Sequence, residues 1–212
     1  MAELASSGVV VVPAAASGWV GREWGGDMGA WGNRPDAKHE CWDWMNLQPP
    51  PESIALQPGG KGRWRRGLTP TGGQRVYAVL TETASKHQLD AGGELTFKGL
   101  FGIYATPRCE RRQEWHTDYQ WGTVAHLRGT PTFPRSAIWA ACAPFRIECR
   151  DRSCVNVPVG HVVFFLADFW HAEGAWMNGW PRFHGFLAPR SVSVPDGVYG
   201  EGGEEGDAGE GR

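Results

Sequence analysis

The sequence predicts a mainly β domain (α+β) built as a double-sheet jelly roll with flanking helices. From Glu94 onward, short apolar or alternating runs follow one another with turn residues between most of them. One clear helical pattern, Arg75 to Leu89, precedes them. A length of 212 residues is enough for one well-buried core and too short to divide comfortably into two domains. We therefore expect a single domain over residues 1–196 and a tail over residues 197–212. No internal repeat divides the chain.

Taken in order, Gly8 to Val12 is a β-branched run stopped by Pro13, the pattern of a first strand. Residues Gly18 to Arg66 abound in Trp, Gly and Pro, with Pro49, Pro50 and Pro51 in a row, and predict irregular chain with short helices at most. The part up to about residue 93 is thus helical and irregular. Arg75 to Leu89 lacks Gly and Pro, spaces Val76, Val79 and Leu80 for a helix, and ends at the Asp90 to Gly93 turn signal. The strand-like runs are Leu95 to Phe97, Leu100 to Tyr104, Thr123 to Leu127, Ala137 to Ala143, Phe145 to Cys149, Val155 to Val157, His161 to Leu166 and Phe183 to Leu187. Many short strands suit a sandwich or barrel, and the double-sheet jelly roll is the version that most often carries a metal in its mouth. From Pro195 the chain turns to Gly and Glu, too apolar-poor to offset the entropy of ordering, so residues 197–212 are expected to form a disordered acidic tail.

Composition narrows the partners. Lysine and arginine number 21 against 23 acids, a net charge of -2, so nothing electrostatic favours a nucleic-acid partner. The five cysteines are odd in number and show no C-x-x-C spacing, which reads as free thiols in a reducing compartment. The apolar stretch Val9 to Val12 follows Glu3, lacks a basic flank and ends at Pro13, unlike a signal core. No run approaches the ~20 apolar residues of a membrane span. A cytoplasmic protein without membrane contact is the expectation.

Glu114-Trp115-His116-Thr117-Asp118 sets an imidazole and a carboxylate two residues apart, so that in an extended segment both project from one face. A further imidazole, His171, follows the strand-like run Gly160 to Leu166 and the turn-like Ala167-Asp168. Two histidines and one carboxylate on a triangular face suit Fe(II), because positions remain for a chelating co-substrate and dioxygen. Beyond His171, Arg182 and His184 alternate onto one face of a further strand that should look into the barrel. A guanidinium there can grip a carboxylate such as the distal end of 2-oxoglutarate, with His184 as a second donor. His39, His87, His126 and His161 read as ordinary polar residues.

These segments, H-T-D, then G-H-V-V-F-F-L-A-D-F-W-H, then P-R-F-H, resemble the Fe(II)/2-oxoglutarate-dependent dioxygenase superfamily, and within it the phytanoyl-CoA dioxygenase-like branch. Gly8 to Pro13 is similar to the opening of such enzymes, and the resemblance covers about half the chain. It implies a double-stranded β-helix of the cupin-like kind, iron held by His116, Asp118 and His171, and 2-oxoglutarate anchored by Arg182. It also implies hydroxylation of a substrate with release of succinate and carbon dioxide, since halogenases of this kind lack the carboxylate that Asp118 retains. Two departures stand out: Gly160-His161 replaces the frequent Gly-Asp, and His171-Ala172-Glu173-Gly174 is one residue longer than the frequent H-x-G. Glu173, two residues from His171, is a spare carboxylate expected at the surface.

Twelve tryptophans are many for this length. Trp139 and Trp170 are expected to fill the core between two sheets, whereas Trp121, Trp176 and Trp180 are candidates for a substrate pocket. The substrate, a small molecule or a protein side chain, is not readable. Two other classes remain open: a cupin-like metalloenzyme that does not use 2-oxoglutarate, and a non-enzymatic jelly-roll binding module.

Overall fold

The computed structural model describes residues 2–15, 27–46, 63–105, 115–151, 153–173 and 181–194. In chain order the elements are α1 (Ala2–Ser7), β1 (Val9–Pro13), α2 (Met28–Gly32), α3 (Ala37–Trp44), β2 (Arg63–Gly67), α4 (Pro70–Lys86), β3 (Thr96–Ala105), α5 (Trp121–Val124), β4 (Arg135–Trp139), β5 (Phe145–Cys149), β6 (Cys154–Val157), β7 (His161–Leu166), β8 (His171–Glu173) and β9 (Arg182–Ala188). Single 3-10 turns occupy Ala91–Gly93 and Ala125–Leu127.

Two antiparallel sheets organise these elements. The larger runs β1-β7-β4-β9-β3-β2 and the smaller β6-β5-β8. Strand alternation gives the larger sheet two unlike faces. Trp139, Phe164, Phe183 and Leu187 project to one side and form a core with Leu4, Trp31, Trp44, Val76, Val79 and Leu80 of the helices. Ile138, Ala140, Val163 and Phe165 project to the other and pack on Phe145, Ile147 and Val157 of the smaller sheet. The sheets thus meet face to face, and α1 to α4 cover the outer side of the larger one, while Val124 of α5 packs with Phe101 and Phe186 on its other side.

The helix α4 begins earlier than the sequence pattern implies. Thr69 accepts from the Gly72 amide as its cap, and Pro70 starts the first turn. Gly72 and Gly73 lie inside the helix, and a Cβ on Gly72 would fall 2.4 Å from the Trp44 Cβ. Glycine there allows α3 and α4 to approach closely.

Within β3 the register to β9 shifts between Lys98 and Phe101. Lys98 pairs with Phe186 and Phe101 with His184, so β3 carries one extra residue, a bulge. Phe97 therefore faces the helices while Phe101 faces the other side of the sheet. The bulge uses Gly99 at φ +57, a left-handed conformation that glycine accepts without strain. Lys98 Nζ donates to the carbonyls of Pro189 (2.7 Å), Arg190 (3.1 Å) and Val192 (2.8 Å), fixing the turn after β9.

Several expectations need correction. Thr123 to Leu127 is not a strand: it lies in α5 and the 3-10 turn after it, where Val124 is buried and Leu127 packs beside it, three residues apart as a helix requires. Leu95 to Phe97 and Leu100 to Tyr104 belong to one bulged strand rather than two. The run from Ala137 ends at Trp139, since the strand is Arg135–Trp139. Trp139 is fully buried but on the helix side, stacked 5.7 Å from Trp31 and 6.2 Å from Trp44, rather than between the sheets. Trp170 is half-buried, with the Arg150 guanidinium 5.2 Å over its ring. Cys41, Cys142, Cys149 and Cys154 are free thiols, and no helix among the described residues is long and apolar enough to cross a membrane. Residues 197–212 lie outside the described residues.

Candidate metal centre

The centre begins with a backbone pairing that joins two distant segments. His116 and His171 form an antiparallel bridge in which each amide donates to the other's carbonyl at 3.0 Å. Opposite residues of such a pair project to the same side. The two imidazoles accordingly stand together, centroids 4.4 Å apart. On its other edge β8 pairs with β5, Cys149 lying opposite His171, so His171 is held from both sides, by His116 and by β5.

After the bridge the chain bends, with the Thr117 hydroxyl donating to the Tyr119 carbonyl at 3.0 Å. The bend delivers the Asp118 carboxylate to the two rings. Its Oδ1 lies 3.8 Å from His116 Nε2 and 3.9 Å from His171 Nε2. One ligand atom from each residue falls within 4.8 Å of the others, and all three residues are buried. Atoms that share one ion through bonds of about 2 Å lie up to about 4 Å apart, so both Asp118–imidazole distances fit a common ion.

Protonation states fit the same purpose. His171 Nδ1 is 3.1 Å from the Phe169 carbonyl, which can only accept, so Nδ1 carries the hydrogen and Nε2 is the ring atom turned to Asp118. Burial on its own would raise the Asp118 pKa, but the charge and hydrogen bond of His184 and the nearby His171 and His116 together hold it well below the usual carboxylate range. Asp118 is thus an anion, as a cation site needs. The donor set, two imidazoles and one carboxylate with oxygen and nitrogen atoms only, suits Fe(II) better than a closed thiolate zinc site.

Arg182 and His184 are both buried and share the face of β9 that looks toward the smaller sheet. The Arg182 guanidinium lies 4.1 Å over the Phe145 ring of β5. His184 Nε2 lies 3.0 Å from Asp118 Oδ2. Phe101 and Phe186 box the ring, with centroids 4.7 and 4.8 Å away.

No protein-family model and no curated protein matches the chain in sequence. Solved structures do match in shape. An oxidoreductase of the 2OG-Fe(II) oxygenase family from Burkholderia pseudomallei is 13% identical, with 92% of this chain and 90% of that chain covered and a TM-score of 0.52. The epimerase SnoN, solved with Fe3+, alpha ketoglutarate and nogalamycin RO, is 11% identical, with coverages of 91% and 83% and a TM-score of 0.54. The chain has the fold of these oxygenases. At such identities the likeness is one of fold alone.

Trp121 is 47% exposed, with the Arg128 guanidinium 5.2 Å over its ring, and so lies on the surface. Trp176, Trp180 and the Glu173 side chain lie outside the described residues. The histidines read as ordinary remain so: His161 Nδ1 meets the Val159 carbonyl, His87 Nε2 meets the Pro13 carbonyl, His39 packs edge-on to Trp42, and His126 is exposed.

Two neighbours of the centre were not anticipated. Tyr119 is buried against Phe186, and burial together with the Asp118 charge pushes its phenol pKa up, so it stays a neutral hydroxyl. Phe165 packs on the His171 ring at 4.4 Å and joins Phe169 in an apolar wall behind that ligand. Adjacency to Asp118 marks Tyr119 in the sequence. Nothing local marks Phe165, whose place depends on how β7 and β8 lie together.

Proposed function

We propose that this chain is an Fe(II)- and 2-oxoglutarate-dependent dioxygenase that hydroxylates its substrate, with succinate and carbon dioxide as co-products. The single observation carrying this reading is the buried convergence of His116, Asp118 and His171 in a chain with the oxygenase fold. His116 Nε2, Asp118 Oδ1 and His171 Nε2 are the atoms that would hold the metal. Once bound, the iron and 2-oxoglutarate supply the activation of dioxygen, and the protein supplies geometry and exclusion of water.

Arg182 is the proposed anchor for the distal carboxylate of 2-oxoglutarate, being a buried guanidinium on the face that looks between the sheets. The two sheets correspond, on this reading, to the halves of a double-stranded β-helix. The H-T-D, His171 and P-R-F-H spacing supports the phytanoyl-CoA dioxygenase-like branch. A small molecule or protein side chain is the proposed substrate class, Trp121, Trp176 and Trp180 are its proposed pocket residues, and the cytoplasm is the proposed location.

The test is an anaerobic calorimetric titration of 2-oxoglutarate into the Fe(II)-loaded protein, repeated with Arg182→Ala and His171→Ala. Saturable binding that needs the metal and weakens in both variants is expected. Metal binding without any response to 2-oxoglutarate would overturn the co-substrate and leave a cupin-like metalloenzyme; a folded protein binding neither would leave a binding module.

A further inference from the structure

The two oxygens of Asp118 face different partners. Oδ1 points to the imidazole nitrogens of His116 and His171, whereas Oδ2 lies 3.0 Å from His184 Nε2. A carboxylate oxygen can only accept, so the hydrogen sits on His184 Nε2 and the bond is charge-assisted. His184 itself has little freedom to turn away, because Phe101 and Phe186 hold its ring on two sides and β9 is paired on both edges, with β4 and β3. Removing the donor would leave a buried carboxylate oxygen without it, at a centre where all the ligands are buried.

We infer that His184 is a positioning residue that engages Oδ2 and commits Asp118 to binding metal through Oδ1 alone. The consequence is chemical. A carboxylate bound through both oxygens occupies two corners of an octahedron, and one bound through a single oxygen leaves the second corner open. An octahedral ion held by His116, Asp118 Oδ1 and His171 keeps three positions, enough for a chelating co-substrate and dioxygen. His184 therefore acts through Asp118 and need not touch co-substrate or substrate. The inference rests on the metal reading of the triad given above and assigns His184 a role different from that of Arg182.

The test compares Fe(II) affinity of the full-length chain without 2-oxoglutarate, under anaerobic conditions at one pH, for wild type, His184→Ala, His184→Gln and Phe186→Leu. Glutamine keeps an N–H donor at similar reach, and Phe186→Leu loosens the same packing without touching the hydrogen bond. Thermal melts of the metal-free proteins accompany each titration. Loss of a partner behind a metal ligand typically weakens binding about 10–100-fold, so His184→Ala should show a loss of that order. His184→Gln should recover most of it, and Phe186→Leu, which keeps both hydrogen-bonding groups but loosens their hold, should melt earlier with a clearly smaller loss of affinity than His184→Ala. Unchanged Fe(II) affinity in His184→Ala overturns the assignment alone, and so does a loss confined to 2-oxoglutarate binding. Equal losses in the alanine, glutamine and Phe186→Leu variants reduce His184 to packing and overturn it too. Failure of the wild-type chain to bind Fe(II) overturns the metal reading first, and this assignment with it.

Discussion

The two faces of the larger sheet share one backbone and bury opposite chemistry. On β9, Phe183 and Leu187 look to the helices, where Phe183 meets the rings of Trp44 and Trp139 and the buried Arg135 lies opposite Leu187, while Arg182 and His184 look to the smaller sheet. The helix side gains stability from area and shape: Trp31, Trp44, Trp139 and Phe183 stack with centroids 5.4–6.2 Å apart. The other side takes three histidines, an aspartate and an arginine out of water, which costs free energy unless partners or an ion compensate. Strand alternation thus separates what holds the fold from what does the chemistry, one residue apart.

The largest expected effect breaks the polar side alone. Asp118→Asn keeps the shape and removes the charge, so Fe(II) binding should be lost in anaerobic titration while the far-ultraviolet circular dichroism stays native. The same variant sharpens the acid response of the metal-free protein. Because the folded-state pKa of Asp118 is depressed, its ionised form contributes stability that is fully present above the unfolded value of ~3.9 and is lost as pH falls below it. Denaturation midpoints should therefore fall less steeply in that acid window for Asp118→Asn than for wild type.

Next in size is the helix side. Trp139→Ala opens a cavity in the stacked cluster and should cost about 3–5 kcal/mol in denaturant unfolding, with Fe(II) affinity of the folded fraction unchanged. A parallel loss of affinity would show that the faces are not separable. The bulge that lets β3 serve both faces is the third target. Alanine at Gly99 would keep φ +57 and bring its Cβ to 2.5 Å from Val194 Cγ1, so Gly99→Ala should destabilise by roughly 1–3 kcal/mol in the same assay. The smallest effect belongs to Trp121→Ala, where exposure predicts a change within about 0.5 kcal/mol and no shift in metal affinity.

The convergence of His116, Asp118 and His171 was legible because each carries its chemistry in its side chain and two of them are two residues apart. The strand that holds His171 was not: β8 has three residues, too few for a pattern, and exists through its pairing with Cys149 on one edge and His116 on the other. Alternation placed Arg182 and His184 on one face correctly, but the partner of His184 is 66 residues away and depends on the bend after His116. The tryptophans were the least legible. Trp139 and Trp121 differ in fate because one lies on a central strand and the other on a short exposed helix, a distinction that composition does not carry. The helix α4 and the Thr123 to Leu127 segment were misjudged for a related reason, since close packing at Gly72 and burial of Val124 are decided by distant neighbours.

The most direct test of the metal centre is an anaerobic equilibrium titration of Fe(II) into the metal-free wild-type chain, with His116→Ala and His171→Ala beside it. One Fe(II) per wild-type chain, absent from both variants while they remain folded, is the predicted result; a folded wild-type chain that takes up no Fe(II), or variants that bind it equally well, would contradict it.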